Sequence, residues 1–349
     1  MDNPKISVLI PMYNRKHYIE DCINSVLNQT FQNFEIIIRD NCSTDGGYDF
    51  VIEKYSKEIG EGKLKIFVNK KNLGEFGNVN ALIRDATGKY FKILHSDDLL
   101  LPHTLEHLYE IAEQTQADVV HESFFLISPK SGIVNDLNEC RQITSETNTY
   151  NKIVILPDNP MFRFNEIINN GTFFDIQYNL FNSEFILRNK ITVGLGGYLL
   201  PYIQWMMLAK IIVKTPVICG IRRDAPDSLT NKSMDFNAQK IEKFICERFE
   251  ILKKLDPILS EIDFFKDNAF FLYMIKVKWL CGVDDFLITR PKFYKNGITP
   301  EIFEAVERAF KKYYGESNYF YPMFMYHWAH CLPFNRRADI INFNVPRQK

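Results

Sequence analysis

Over the first third of the chain, short apolar runs alternate with longer amphipathic stretches. The apolar runs predict β-strands at 5–11, 34–40, 63–69, 89–95 and 117–128. Between them, apolar residues recur at helical spacing and predict helices at 15–29, 46–60 and 75–88, with another from Pro102 onward. This alternation predicts an α/β fold, in which a mostly parallel sheet is covered by helices on both faces.

The pattern changes twice beyond the fifth strand. Residues 129–170 are polar and rich in turn formers, which predicts a flap-like insertion before strands and a buried helix return at 171–230. From 235 onward the pattern is helical, most clearly over 238–255 and 299–315. We therefore expect three parts, over 1–128, 129–234 and a helical C-terminal extension over 235–349.

An apolar stretch at 198–221 is long enough to be considered as a membrane span. It is interrupted by Pro201, Gln204, Lys210, Lys214 and Pro216, and charges near the centre of a bilayer are costly. The stretch therefore predicts a buried helix followed by a strand.

Charge and cysteine content narrow the class of protein. The formal net charge of -1 gives no overall indication of nucleic-acid binding, so no nucleic-acid partner is expected. The seven cysteines include no CxxC pair, and the N-terminus carries no basic and apolar leader. We therefore expect a protein of the reducing cytoplasm.

Polar clusters follow four of the predicted strands, at 12–15, 40–45, 69–74 and 95–98. Because ligands of parallel sheets bind outside the carboxyl ends of the strands, these clusters predict a binding edge. The first cluster is neither a dinucleotide fingerprint nor a P-loop. Instead, Tyr13 offers a ring for a nucleobase, and Asp40 offers an acceptor for its N–H groups. The alternatives are that Tyr13 packs on the sheet edge and that Asp40 caps a turn.

The fourth cluster contains the adjacent carboxylates Asp97 and Asp98. Like charges this close repel each other, so either water solvates them or a positive group lies between them. A hard cation such as Mg²⁺ or Mn²⁺ takes oxygen ligands and keeps contacts with substrate phosphates, so the pair is a candidate metal site. The alternative is a solvated turn that caps the following helix.

Several segments resemble, in the correct order, the inverting glycosyltransferases of family 2. They are "ISVLIPMYNRKHYIEDCINSVLNQTFQNFEIIIRDNCSTDG" (6–46), "NLGEFGNVN" (72–80), "ATGKYFKILHSDD" (86–98) and "GGY" (196–198). The resemblance implies the GT-A fold, a three-layer sandwich with a mostly parallel sheet. It also implies a nucleotide sugar, commonly a UDP-sugar, as donor, and Mn²⁺ or Mg²⁺ as cofactor.

The resemblance also implies roles for individual residues. Asp40 matches the base-reading aspartate, Asp97 the final Asp of the metal-binding D-x-D motif, and Asp98 the acidic residue that often follows it. The other residues that match donor-binding segments, or lie between matched positions, are Pro11, Tyr13, Asn14, Asn41, Ser43, Asn72, Gly74, Asn80, His95 and Ser96.

Two positions depart from the family pattern. His95 stands where the first Asp of D-x-D is usual, and Gln204 stands where the catalytic base, an Asp or Glu, is usual. A neutral amide cannot accept a proton as a general base. Asp175 and Glu184 are the carboxylates in the region that should face the acceptor, with a surface or turn role as the alternative for each.

The expected function is metal-dependent transfer of a sugar from a nucleotide to a hydroxyl of a glycan or glycolipid, in the assembly of a bacterial surface polysaccharide or lipooligosaccharide. A weak or inactive relative that binds nucleotide sugars is the alternative, because of Gln204 and His95. Arg222, Arg223 or Lys232 could reach the diphosphate, or lie in a solvated loop. Aromatic and basic residues mix over 319–349, which suits either peripheral membrane contact or core packing.

Overall fold

A computed structural model describes residues 3–129, 131, 134, 136–144, 151–169, 176–194, 197–224, 237–266, 268–276 and 300–314. The chain divides into two compact units, Met1–Asn231 and Lys232–Lys349. The predicted boundary between 128 and 129 lies inside the first unit and stays a prediction.

Strands and helices alternate along the first part of unit one, as the sequence predicts. The elements are β1 (Ile6–Met12), α1 (Lys16–Leu27), β2 (Phe34–Asp40), α2 (Gly47–Lys54), α3 (Ser56–Gly60), β3 (Leu64–Val68), α4 (Gly74–Asp85), β4 (Tyr90–Ile93), β5 (Leu99–Leu100), α5 (Thr104–Thr115), β6 (Val119–Glu122) and β7 (Phe124–Ile127). The predicted strand at 117–128 is two strands separated by Ser123, because β6 and β7 belong to different sheets.

The second part of unit one has shorter elements. They are β8 (Arg141–Thr144), β9 (Val154–Ile155), α6 (Pro160–Asn169), β10 (Asn179–Asn182), α7 (Ser183–Arg188), α8 (Leu199–Leu208), β11 (Ile212–Thr215) and β12 (Gly220–Arg222). The apolar stretch at 198–221 therefore contains a buried helix and then strands. Among the described residues, no helix is both long and apolar enough to cross a membrane.

The main sheet has eight strands in the order β3-β2-β1-β4-β10-β6-β11-β9. Strands β3, β2, β1 and β4 are parallel to one another, and β6 is parallel to β11, whereas β10 and β9 run antiparallel to their neighbours. A second sheet of four strands has the order β5-β12-β7-β8. The carboxyl ends of the first four parallel strands therefore meet at one edge.

Side chains of the main sheet alternate between two helical layers. Val8 and Ile10 of β1 belong to one buried cluster with residues of α1 and α5. On the other face, α4 packs on β1 and β2, and Trp205 of α8 meets Phe181 of β10 with ring centroids 6.2 Å apart. The predicted three-layer α/β arrangement is confirmed.

The second unit is helical in its described part. It contains α9 (Ala238–Leu259), α10 (Asp263–Lys266), a helical segment α11 (269–276) and α12 (Pro300–Tyr314). Helix α12 packs on α9, where Phe249 contacts Phe310 with ring centroids 4.9 Å apart. The predicted helical extension is thus confirmed where it is described, whereas the tail at 319–349 lies outside the described residues.

Two ion pairs are buried in the main sheet. Lys92 of β4 pairs with Glu122 of β6, and each side chain is 2% exposed. Lys92 Nζ also donates to the carbonyl oxygen of Gln177 (2.8 Å). Lys214 of β11 pairs with Glu166 of α6 at 2.7 Å. A buried pair of this kind holds its elements in register, because separating the charges leaves one of them in a medium that solvates it poorly.

We expect Lys92→Met to lower the free energy of unfolding of unit one by about 3–5 kcal/mol, because it removes the opposite charge beside the buried Glu122 carboxylate. The double variant Lys92→Met/Glu122→Leu should recover most of that loss, since it removes both charges. Urea denaturation followed by circular dichroism measures both.

The exposed pair Lys54–Glu20, with both side chains 41% exposed, supplies the control. Lys54→Met should change the free energy of unfolding by less than about 0.5 kcal/mol. A double variant at Lys92 and Glu122 as unstable as the single one would contradict the ion-pair explanation.

Candidate active site

The loops that follow β1 and β2 are joined by hydrogen bonds. The backbone N–H of Asn14 donates to Ser43 Oγ (2.8 Å), and Asn14 Oδ1 accepts from the N–H of Thr44 (2.8 Å). Asn14 has a φ of 51°, in the left-handed region that Asn tolerates better than most residues. The predicted donor-binding residues Asn14 and Ser43 therefore hold two strand ends together.

Pro11 lies in β1 without interrupting the sheet. Pairing of β1 with β4 ends at Leu9, and Met12 turns its carbonyl oxygen toward β2, where it accepts from Asn41 N–H (2.8 Å). Because backbone groups alternate in direction along a strand, the missing N–H of Pro11 faces the side where β4 has already ended. Because Pro11 has no N–H to donate, it does not extend the pairing of β1 with β4, and room is left beside the carboxyl end of β1.

Asp40 ends β2 and is buried. One of its carboxylate oxygens accepts from the backbone N–H of Ser43 (3.0 Å), and the other accepts from the Ser43 hydroxyl. This is the turn-capping geometry that the sequence left open as an alternative. A carboxylate oxygen has more than one lone pair, so the cap and base reading are compatible. Tyr13 is 48% exposed, so its ring is open to a stacking partner.

Asn41 joins the end of β2 to the start of α4. Its Oδ1 accepts from the N–H of Leu73 (2.8 Å) and from Asn69 Nδ2 (3.0 Å). Its Nδ2 donates to Asn72 Oδ1 (2.9 Å) and to the carbonyl oxygen of Gly74 (3.1 Å). Gly74 adopts a φ of 71°, which costs glycine no strain. The predicted residues Asn41, Asn72 and Gly74 are thus brought together in one network.

Asp97 and Asp98 follow β4 in a tight turn, and their carboxylates meet different partners. Asp97 Oδ2 lies 3.4 Å from Arg15 Nε, with the two side chains 16% and 19% exposed. Asp98 is buried, and its Oδ1 accepts from the backbone N–H of Arg223 (2.7 Å). An arginine and an N–H group of the chain itself therefore relieve the repulsion between the adjacent charges.

His95 begins this turn. Its carbonyl oxygen accepts from the N–H of Asp98 (2.9 Å), and its Nδ1 lies 4.0 Å from Asp98 Oδ2. Burial, followed by the negative charges of Asp98 and Asp97, raises the pKa of the Cys22 thiol well above its ordinary value. Cys22, whose Sγ lies 3.5 Å from the His95 carbonyl oxygen, therefore stays neutral beneath the turn. Ser96 is buried within it.

The turn fits a cation that the substrate helps to hold. In the described part of the chain, no group of three His, Cys, Asp or Glu side chains is placed to hold a metal by itself. Asp98 is committed to the N–H of Arg223, so Asp97 is the carboxylate that remains near the surface. One carboxylate together with substrate phosphates is an established way of binding Mg²⁺. A cation at Asp97 would compete with Arg15.

Of the predicted acceptor-side residues, the structure describes Gln204 and Glu184. Gln204 lies on α8, and its Oε1 is buried with no hydrogen-bond partner among the described residues. Glu184 is 84% exposed at the start of α7, next to Asn182, which pairs with Tyr90 at the amino end of β4. Glu184 is therefore at the opposite edge of the sheet from Asp97, which favours the surface role given as its alternative, and a catalytic role stays a prediction. Asp175 lies outside the described residues.

Asn80 uses its side chain within the protein. Its Nδ2 donates to the carbonyl oxygen of Val193 (2.7 Å), and its Oδ1 accepts from the N–H of Val193 (2.9 Å). These bonds occupy the amide in both directions. The structure thus gives Asn80 a supporting position, and direct contact with the donor stays a prediction.

The sequence left three participants unassigned. Asn69 and Asn78 complete the asparagine network (Asn69 Nδ2 to Asn78 Oδ1, 2.8 Å), and Arg15 is the partner of Asp97. Asn69 and Asn78 flank the matched Asn72, and Arg15 follows the matched Asn14 directly. Their position next to a matched motif is the sequence signal that could have identified these polar residues. Their hydrogen-bond and ion-pair partners could not be identified, because they are distant in sequence.

Comparisons with known proteins agree with this architecture. The chain of Staphylococcus aureus TarS, residues 1–349, in complex with UDP-GlcNAc has a similar structure, with a TM-score of 0.60. The similarity covers 97% of this chain and 87% of that TarS chain at 16% sequence identity, so it shows the fold alone. The fold is GT-A, as the sequence resemblance implies.

The sequence of residues 7–175 matches the family described as Glycosyl transferase family 2. The match spans just under half of the chain, so this segment is similar to glycosyl transferase family 2. An uncharacterized glycosyltransferase of Haemophilus influenzae is 28% identical over 54% of this chain. The Escherichia coli enzyme UDP-Glc:alpha-D-GlcNAc-diphosphoundecaprenol beta-1,3-glucosyltransferase WfgD is 28% identical over 44% of this chain. The matched segments span 57% and 56% of these relatives, so about half of their length.

We expect Arg15→Gln to increase the affinity of the nucleotide-free protein for Mn²⁺ about fivefold. Removing a positive charge 3.4 Å from Asp97 removes about 1 kcal/mol of competing attraction even at a water-like dielectric constant. Titration with Mn²⁺, followed by the electron paramagnetic resonance signal of the free ion, measures the affinity.

Lys16→Gln is the matched control, because it removes a positive charge from the neighbouring exposed position, whose N–H binds Asp45. It should leave the affinity for Mn²⁺ unchanged within about twofold, since exposed charges interact weakly. Equal affinities of wild type and Arg15→Gln would show that Arg15 does not compete for Asp97.

Proposed function

We propose that this protein transfers a sugar from a nucleotide donor, with UDP as the expected nucleotide, to a hydroxyl group of a glycan or lipid-linked glycan. The observation that carries the proposal is the shared edge of the sheet, where an open ring, a buried carboxylate and a surface carboxylate follow three neighbouring strands of a family 2 domain. They are Tyr13, Asp40 and Asp97.

The order of these side chains along the edge suits the order of groups in a nucleotide sugar. Strand β2 lies on one side of β1 and β4 on the other. Neighbouring strands are about 5 Å apart, so Asp40 and the turn after β4 are about 10 Å apart in the plane of the sheet. A nucleobase at Tyr13 and Asp40 would therefore extend its diphosphate toward Asp97 and Arg15.

The reaction expected from the family resemblance is a single in-line displacement. The acceptor oxygen forms a bond to the anomeric carbon as the bond from that carbon to the phosphate oxygen breaks, and the proton of the acceptor hydroxyl passes to water. A divalent cation, when bound, would neutralise charge on the leaving diphosphate. Asp97 would hold it, and Arg15, once displaced from Asp97, would be free to bind a phosphate oxygen.

The named relative WfgD supports the acceptor class. Its name states a UDP-glucose donor and an acceptor attached to diphosphoundecaprenol. A lipid-linked acceptor would bring the enzyme to the inner face of the membrane, and we propose a cytoplasmic protein that contacts this surface peripherally. A role in surface polysaccharide assembly belongs to the same proposal.

A second candidate function is that of a catalytically weak relative which binds nucleotide sugars. Gln204 favours it, because an amide stands at the position that matches the family's catalytic base. Donor turnover distinguishes the two functions, since binding without hydrolysis or transfer across a donor panel would support the weak relative.

We expect UDP with Mn²⁺ to stabilise the wild-type protein against heat by about 2.7 kcal/mol at a ligand concentration one hundred times the dissociation constant. Asp97→Ala should lose the part of this shift that depends on Mn²⁺ and keep the part due to UDP alone. Differential scanning fluorimetry with a panel of nucleotides and nucleotide sugars measures both parts.

Glu184→Gln is the matched control for charge, because it removes an exposed carboxylate at the opposite edge of the sheet. It should behave as wild type. A shift with Mn²⁺ that is equal in Asp97→Ala and wild type would remove Asp97 from the cation site.

We expect Gln204→Glu to raise the rate of transfer or donor hydrolysis at least about tenfold at pH above 7, because a general base contributes roughly 10²–10⁴-fold. The variant should also gain a dependence on pH that the wild type lacks. Initial rates of UDP release, measured between pH 5 and 9 with the best donor of the panel, test this.

Gln204→Met keeps the size of the side chain without supplying a base, so it should show no such gain. A Gln204→Glu rate below that of wild type would mean that the amide itself assists the reaction.

A further inference from the structure

Helix α4 begins inside the donor-binding edge. Its first residue is Gly74, and the carbonyl oxygen of Gly74 and the N–H of Leu73 are both bound to the side chain of Asn41 at the end of β2. Asn41 in turn follows Asp40 directly. The position of the first turn of α4 is therefore set by the same loop that presents Asp40.

One further turn along, α4 is bound to the segment that precedes α8. The side chain of Asn80 pairs with both backbone groups of Val193, at 2.7 Å and 2.9 Å, although 113 residues separate the two in sequence. The side-chain amide of Asn80 thus makes the two hydrogen bonds to Val193 that a neighbouring β-strand would make. Because Asn80 is half-buried, loss of the pair would leave the backbone groups of Val193 poorly solvated.

Phe76 lies against the two described glycines of the same segment. Gly194 and Gly197 exchange backbone hydrogen bonds of 3.2 Å, and they adopt φ angles of 132° and 69°. A Cβ atom on Gly194 would lie 3.4 Å from Phe76 Cβ, and one on Gly197 would lie 3.6 Å from Phe76 Cζ. The glycines therefore combine an unusual backbone conformation with close contact to α4.

A third contact joins α4 to Tyr198, the residue directly before α8. Tyr198 donates a hydrogen bond from its hydroxyl to Glu75 Oε1 (2.6 Å), and its ring meets that of Phe76 edge-on at 5.3 Å. Leu199, the next residue, is the first of α8, which carries Gln204. Helix α4 thus contacts the segment before α8 at Val193, at the two glycines and at Tyr198.

We infer that α4 couples the donor edge to the acceptor side, so that binding of a nucleotide at Asp40 and Tyr13 steadies the turn before α8. Residues Glu75, Phe76 and Asn80, together called the α4 clamp, are positioning residues of this device. The inference rests on the proposed function, because it assumes that a nucleotide binds at that edge.

The physical basis is the stiffness of a short helix bound at both ends. A nucleotide that restrains the loop after β2 also restrains Asn41 and, through Leu73 and Gly74, the first turn of α4. The α4 clamp then transmits that restraint to Val193 and Tyr198. A contiguous set of hydrogen bonds of this kind is a physical route for coupling only if both sites shift the same local equilibrium, which can be measured.

The test is hydrogen exchange of the full-length protein with UDP and Mn²⁺ as the probe. In wild type, the ligand should slow exchange of amides at 193–203 by about tenfold or more. In Asn80→Leu, exchange of the Val193 amide should rise by at least about tenfold without ligand, and the effect of ligand on 193–203 should disappear. The dissociation constant of UDP is measured separately for each protein by calorimetry, so that exchange is compared at equal saturation with the ligand.

Three variants make the result specific. Asn28→Leu changes an exposed Asn at the end of α1 and should leave both exchange and UDP binding unchanged. Asn80→Asp keeps the acceptor for the Val193 N–H and should give an intermediate effect. Tyr198→Phe removes only the hydroxyl and keeps the ring on Phe76, so it tests the clamp where Asn80→Leu fails to fold.

Coupling through α4 is overturned if UDP protects 193–203 equally in wild type and Asn80→Leu, or if UDP binds wild type without protecting this segment. Should no nucleotide of the panel bind wild type in calorimetry, the proposed function falls and takes this inference with it. The separate binding measurement distinguishes these outcomes.

Discussion

Hydrogen bonds between asparagine side chains and the loops after the strands hold the carboxyl edge of the sheet together. Asn41 is central, because its one amide binds the loop after β3, the start of α4 and two further asparagines. Asn41 and Asn69 are buried, so their amide groups must find partners within the protein. The exposed ring of Tyr13 and the carboxylate of Asp40 can face a ligand because this network fixes the loops that carry them.

The same requirement governs charge at the tip of β4. Asp97 and Asp98 lie side by side, yet one meets the guanidinium of Arg15 and the other the backbone N–H of Arg223. The turn is therefore stable without a cation, and a cation would enter by exchange with Arg15. In the proposed function, the guanidinium displaced by a cation at Asp97 would bind a phosphate oxygen of the donor instead.

Much of the fold was readable from local pattern. The runs at 5–11 and 34–40 are β1 and β2, and the glycine, asparagine and aspartate clusters after the strands meet at one edge because parallel strands end there. The apolar run at 117–128 was read as one strand, since the pattern carries no mark of the change of sheet at Ser123. The edge at which Glu184 lies is likewise not visible in the sequence, because the direction of β10 depends on its neighbours in the sheet.

Periodicity and motifs of neighbouring residues are enough to predict the resemblance to family 2, the alternation of strands and helices, and the residue types that reach the carboxyl edge. The pairs that meet there are known only from the three-dimensional structure: Arg15 with Asp97, Asn80 with Val193, and Glu75 with Tyr198. These partners are separated by 82, 113 and 123 residues. Their pairing depends on how the sheet and its helices pack, and no local pattern records that.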